Sequence, residues 1–129
     1  MQIHQSAEDY LETILMLTQR MGKVRSIDVV NELGFTKASV SIAMKKLREN
    51  GYIAVDGEGN LTLLEPGREI AERIYSRHRL LTHFFMQRGV DEKTAAEDAC
   101  KAEHILSEQT LEKIRESALR ADAEQNDPE

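Results

Sequence analysis

The stretch GFTKASVSIAMKKLRENG, residues 34–51, decides how this chain folds. Gly34 suits the left-handed residue that follows a helix. Upstream of it, Ser26 is placed to cap a helix over Ile27–Leu33, with Ile27, Val30 and Leu33 apolar. Downstream, Thr36 can cap a helix over Lys37–Asn50. Val40, Met44 and Leu47 recur there at the spacing of one buried stripe, and Gly51 closes it. Two short helices joined by a glycine turn predict a helix-turn-helix. The next residues sharpen this. Tyr52–Val55 reads as a strand, Asp56-Gly57-Glu58-Gly59-Asn60 as a turn and Leu61–Leu64 as the return strand. A helix-turn-helix followed at once by a hairpin is a winged helix. With the stripe inward, Lys37, Ala38, Ser41, Ile42 and Lys45 fall on or near the outer face. Thr36, Ser39 and Ser41 can donate to phosphates or base edges, and Ala38 or Ile42 can touch a thymine methyl. Lys37, Lys45, Lys46 and Arg48 add charge. The expected DNA contacts are Thr36, Lys37, Ala38, Ser39, Ser41, Lys45, Lys46 and Arg48. A solvated basic face, or a winged helix used for protein contact, is the competing reading.

Composition sets the bounds around that unit. The chain has 129 residues, 40% apolar and 31% charged, enough for one domain or a small domain with a helical extension. No run approaches the ~20 apolar residues of a membrane span. Met1–Gln5 lacks the charged and apolar regions of a signal peptide. The single cysteine excludes an internal disulfide and fits a reducing compartment, so the expected location is cytoplasmic. A net charge of −6 opposes non-specific nucleic-acid binding by the whole surface. The basic patch is local: Leu33 to Arg48 contains no acid.

Outward from the winged helix, Ser6 and Asp9 stand in capping-box positions. They open a helix to about Met21, with Tyr10, Ile14, Leu17 and Met21 on one face. Pro66 is placed at the start of a long helix to about Arg88, with a stripe of Ile70, Ile74, His78, Leu81 and Phe85. Asp91 is expected to cap a helix carrying Cys100, Glu103 and His104. Ser107 is expected to cap a last helix with Leu111, Ile114 and Leu119. The polar, acidic end from Ala121 is expected to fray. The predicted architecture is therefore mostly α. Residues 1–65 form a winged-helix DNA-binding domain, 66–120 a helical metal-binding and dimerisation domain, and 121–129 a flexible tail. No internal repeat is visible. So few helices after the wing cannot enclose a core alone, which points to a homodimer.

Six side chains offer metal ligands. If residues 100–104 are helical, Cys100, Glu103 and His104 share one face at i, i+3 and i+4. Sulfur, oxygen and nitrogen together suit a transition metal. Asp9 and Glu12 are i,i+3 near the start, and His78 sits in an apolar stripe. Each has a plainer reading. Asp9 can be a capping residue, Glu12 a solvated charge, His78 a core histidine and Cys100 a buried small side chain.

The chain resembles the diphtheria toxin repressor and manganese transport regulator family of metal-dependent repressors. The resemblance covers about Ser6 to Leu111. It rests on Glu8-Asp9-Tyr10-Leu11-Glu12-Thr13-Ile14, the winged helix, Arg77-His78-Arg79-Leu80-Leu81, and Cys100-Lys101-Ala102-Glu103-His104-Ile105-Leu106-Ser107. It implies that Asp9, Glu12, His78, Cys100, Glu103 and His104 bind metal, Mn(II) or Fe(II), one or two ions per protomer. Co(II) or Zn(II) would bind in vitro. The chain mixes the two branches, pairing Asp9 with Cys100, where the manganese branch usually has Glu at the latter position and the iron branch Met at the former. An ancillary site of the iron branch falls on Thr82 and Ala96, which replace its ligands poorly. Length and Glu12 favour the manganese branch.

The implied mechanism is electrostatic. Asp9, Glu12, Glu103 and a Cys100 thiolate bring four formal negative charges together, and repulsion and desolvation oppose that without a cation. A metal bound between the two domains would set the spacing of the recognition helices in a homodimer on a double-stranded operator, by population shift. The expected role is repression of metal-uptake genes, with no membrane partner, no organic substrate and no enzymatic activity. A winged-helix regulator sensing another ligand, or a small metalloenzyme, is the alternative.

Overall fold

The computed structural model describes residues 5–125. Six helices and one hairpin follow in order: α1 (Gln5–Met21), α2 (Ser26–Leu33), α3 (Lys37–Glu49), β1 (Ile53–Val55), β2 (Leu61–Leu63), α4 (Glu65–Gln87), α5 (Glu92–Ala102) and α6 (Glu108–Gln125). The chain divides into two compact units, Met1–Arg73 and Ile74–Glu129, with α4 running through the boundary.

In the first unit, Tyr10, Leu11, Ile14, Leu15 and Leu17 of α1 are buried with Val29 of α2 and Val40, Met44 and Leu47 of α3. The expected α3 stripe is the buried one, and Thr36 is its N-cap, accepting the Ser39 N–H at 3.1 Å. β1 and β2 pair antiparallel in the register Ile53↔Leu63, Ala54↔Thr62 and Val55↔Leu61. Alternation puts Ile53, Leu61 and Leu63 into the core. Asp56 closes the wing by accepting the Glu58 and Asn60 N–H groups, each at 2.9 Å. Those bonds, Asn60 first, hold its carboxyl below the usual range. The Leu61 N–H donates to the Val24 carbonyl at 2.7 Å, fastening the wing to the α1–α2 link.

Some local expectations fail at element edges. Ser6 lies inside α1 rather than at its N-cap. Arg25, not Ser26, caps α2, and its N–H donates to Asp28 Oδ2 at 2.9 Å. Val29 carries the α2 core contact while Ile27 is exposed, because residues two apart on a helix point to nearly opposite sides. Met21 is exposed where α1 runs past its core, just before Gly22.

In the second unit, Leu81, Ala99 and Leu111 form a buried cluster from α4, α5 and α6, with Leu80, Phe85, Ala102, Leu106 and Ile114 packed on it. Ser107 caps α6 as expected, its Oγ accepting the Thr110 N–H at 3.2 Å. Leu119 is 62% exposed, and Ala118 takes the core position instead. α6 continues to Gln125, so residues 121–125 are helical. The remainder of the predicted tail, 126–129, lies outside the described residues.

Gly67, in the first turn of α4, is where the helix start meets the wing. A Cβ there would stand 2.2 Å from the Tyr52 carbonyl oxygen, the same oxygen that accepts the Leu64 N–H at 3.0 Å. Alanine is the better helix former by ~1 kcal/mol. A clash with backbone cannot be relieved by a rotamer, and such overpacking costs about 1–3 kcal/mol. Gly67→Ala should therefore destabilise the protein, seen as a lower urea midpoint with an unchanged slope. An equal or higher midpoint would show that the α4 start can shift away from the wing.

Candidate functional site

The buried polar chemistry of the second unit centres on Glu103. α5 was expected to carry Cys100, Glu103 and His104 together, but it ends at Ala102. Glu103 is its C-cap, donating its N–H to Ala99 O at 2.9 Å, and the Ile105 N–H reaches Ala102 O at 3.1 Å. The last turn thus tightens as the chain reverses toward the Ser107 cap, and His104 lies in the turn rather than on a helical face. Glu103 is 0% exposed and the His104 side chain 1% exposed, while Cys100 in the last full turn of α5 is exposed.

Two imidazoles flank the Glu103 carboxylate. His78 Nδ1 lies 3.0 Å from Oε2, and His104 Nε2 lies 3.4 Å from Oε1. Oε1 makes no hydrogen bond among the described residues. A buried anion with one oxygen in this state costs free energy until a positive charge or donor reaches it. Carboxylate oxygen and imidazole nitrogen are a ligand mixture suited to first-row divalent metals, so the donors fit the metal that the sequence pattern implies. Arg77 was not expected to play any part here. Its Nη1 donates to the Glu103 carbonyl at 3.1 Å, and its other nitrogen pairs with Glu108 at the start of α6. It fixes the turn that aims Glu103 inward. No spacing rule links positions 77 and 103, so the sequence carried no signal for it.

In the first unit, Asp9 is half-buried and Glu12 is 6% exposed. Each offers a carboxylate oxygen within 4.8 Å of the other's, as their i,i+3 spacing on α1 requires. Burial, then the charge of Asp9, raises the Tyr10 pKa above its ordinary value. In the second unit, Thr82 donates its hydroxyl to the His78 carbonyl at 2.7 Å, a bond back to the preceding turn of α4.

α3 holds the residues expected to meet nucleic acid. Lys37, Ala38, Ser39, Ser41, Lys45, Lys46 and Arg48 are exposed, as is Thr36 before them. Ser41, Lys45 and Arg48 line, with Ser26, Met44 and Val55, a cavity of about 260 Å³ between α2, α3 and the wing.

A winged helix with a basic helix, followed by a helical unit with a buried carboxylate between imidazoles, is the architecture of a DNA-binding regulator. Residues 2–61 match the DNA-binding domain of iron-dependent repressors, and residues 64–122 match the metal binding and dimerisation domain. The chain belongs to the iron-dependent repressor family. It is 36% identical over 113 residues to an uncharacterised HTH-type transcriptional regulator of Methanocaldococcus jannaschii, covering 86% of this chain and 90% of that one. It is 34% identical over 109 residues to the HTH-type transcriptional regulator MntR of Bacillus subtilis, covering 84% and 77%. Among solved structures, a manganese-dependent transcriptional repressor in complex with manganese superimposes with a TM-score of 0.80 at 27% identity, covering 87% of this chain and 52% of that one. The manganese regulator SloR gives 0.76 at 25% identity, covering 94% and 55%. The chain thus spans about half the length of these two solved proteins. No helix among the described residues is long and apolar enough to cross a membrane.

α5 depends on Asp91 at its N-cap, which accepts the Thr94 N–H at 3.0 Å and the Thr94 hydroxyl at 2.9 Å. Those two bonds, the backbone one first, hold the Asp91 carboxyl below its usual range. A lowered folded pKa means the stabilisation is fully present above the ordinary aspartate range and is lost as pH falls through the folded value. Asp91→Ala should therefore lower the urea midpoint at neutral pH, with the gap to the parent closing in acid. Asp91→Asn keeps an N-cap acceptor and should show no such pH response at this site. A parent–alanine gap that persists undiminished into acid would mean that the cap does not act through its charge.

Proposed function

We propose that this chain is a metal-activated repressor that binds a double-stranded operator as a homodimer in the cytoplasm and controls metal-uptake genes. The observation that carries the reading is Glu103, a fully buried carboxylate set between His78 and His104. Glu103, His78 and His104 would act as ligands. Asp9, Glu12 and Cys100 join them on the strength of the family pattern. A divalent cation, Mn(II) or Fe(II) at one or two per protomer, would bring positive charge to this anionic set. Asp9 and Glu12 ride on the DNA-binding domain and the other four belong to the metal-binding domain. Ligand repulsion relieved by metal therefore acts on the placement of the recognition helix, which is how binding at one place shifts a population at another. Lys37, Lys45, Lys46 and Arg48 would neutralise phosphates, with Thr36, Ala38, Ser39 and Ser41 as further DNA contacts of the same helix. The homodimer is supported by the match of residues 64–122 to a metal binding and dimerisation domain.

The test is calorimetric titration with manganese(II) chloride, run alongside operator binding with and without a chelator. Metal should tighten operator binding, and Glu103→Gln should weaken metal binding at least about tenfold. The same variant should keep the metal-free melting temperature or raise it, because a buried charge is removed. Equal operator affinity of chelated and metallated protein would sink the proposal.

Cys100 governs selectivity in this reading. Thiolate favours Fe(II), Co(II) and Zn(II) over Mn(II), which sits lowest in the affinity order, whereas the carboxylates tolerate Mn(II). Both Mn(II) and Fe(II) should activate the parent. Cys100→Glu should raise the Mn(II)/Fe(II) activation ratio, measured anaerobically as operator affinity at fixed free metal. An unchanged ratio would take Cys100 out of the ligand set.

A further inference from the structure

The outward face of α3 has an unusual composition for a base reader. Two-bond recognition of a base edge uses Arg or Lys on guanine and Asn or Gln on adenine, and Asp or Glu can accept from cytosine. From Lys37 to Lys46 there is no Arg, Asn, Gln, Asp or Glu, and the residues of that class are the lysines Lys37, Lys45 and Lys46, which also serve as phosphate-binding charges. The Thr36 hydroxyl donates to Ser39 Oγ at 2.9 Å while accepting the Ser39 N–H, so this pair is committed to the helix cap. Ser41, Lys45 and Arg48 line the wing-side cavity at the edge of this face. The centre of the face is Ile42, opposite the buried Val40, Met44 and Leu47 and 57% exposed. Ala38 stands one turn before it and Lys46 one turn after. A branched apolar side chain in the middle of a basic, otherwise polar face gains nothing from water.

Building on the DNA-binding reading above, we propose that Ile42 is a sequence-reading residue that packs on a thymine C5-methyl group in the major groove. The lysines around it bring the anionic duplex to this face without choosing a sequence. The methyl group is the one apolar feature a base pair offers in that groove, and Ile42 is the large apolar group on this face of α3 free to meet it. Ile42 is exposed and takes no part in the core, so its substitution leaves folding intact.

The experiment selects duplexes from a random library on the full chain with manganese(II) chloride. Each thymine of the selected site is then replaced in turn by deoxyuridine, which removes only the methyl. One thymine per half-site should respond, with binding weakened about fourfold, the factor for burying one methyl group. Ile42→Ala should bind more weakly and lose that response. Ile42→Gln should move the preference at the same position toward adenine. Lys45→Ala should weaken all duplexes alike, lower the salt slope by about one unit and keep the thymine response. The inference is overturned if no thymine responds, or if Ile42→Ala responds as the parent does. Recovery of no duplex at all would remove the DNA-binding reading itself, and this assignment with it.

Discussion

A carboxylate held away from water is the constraint on which the second unit is built. Glu103 has no exposed surface, and an isolated buried anion is among the costliest groups a fold can hold. Three features offset that cost. His78 is presented by α4, His104 follows in the same turn, and Arg77 grips the backbone carbonyl of Glu103 while pairing with Glu108. Arg77 and His78 come from α4, His104 from the turn after α5 and Glu108 from the start of α6, so all three stretches must be in place around the charge. The remaining oxygen, Oε1, is where a further positive charge would be felt most. Removing an imidazole would leave the buried charge uncompensated, the costly case for a buried pair, whereas neutralising the carboxylate removes the charge itself.

The first unit has a different task, which is to hold one helix rigidly with its polar side outward. Thr36 caps α3, the Val40/Met44/Leu47 stripe seats it, and the Leu61–Val24 hydrogen bond and the Gly67–Tyr52 approach lock the wing behind it. Rigid presentation matters because base contacts are won or lost over fractions of an ångström. The unit's cost-free exposed positions are then available for recognition, and α3 fills them with lysine, serine and one isoleucine.

Much of this was legible from consecutive residues. The α3 stripe, the hairpin and the caps Thr36, Asp91 and Ser107 all follow from interactions spanning two to four residues, and each stands where periodicity and side-chain chemistry put it. The misreadings cluster where a local rule had two solutions. Ser6 and Ser26 are good capping residues that lie inside their helices. Ile27 and Leu119 are apolar residues one step off the face that the neighbouring elements cover.

By itself the sequence determined the kind of protein: a winged helix with a basic helix, followed by helices bearing carboxylates and imidazoles. Only the tertiary structure decided which of those side chains face inward. α5 stops at Ala102, which buries Glu103 and His104 and leaves Cys100 exposed. It also joined His78 to a residue 25 positions away and recruited Arg77 to the turn. The reason is physical. Helix faces and caps are settled by neighbours along the chain, whereas the burial of a charge is settled by whatever the folded chain brings to meet it, and that partner has no fixed spacing in sequence.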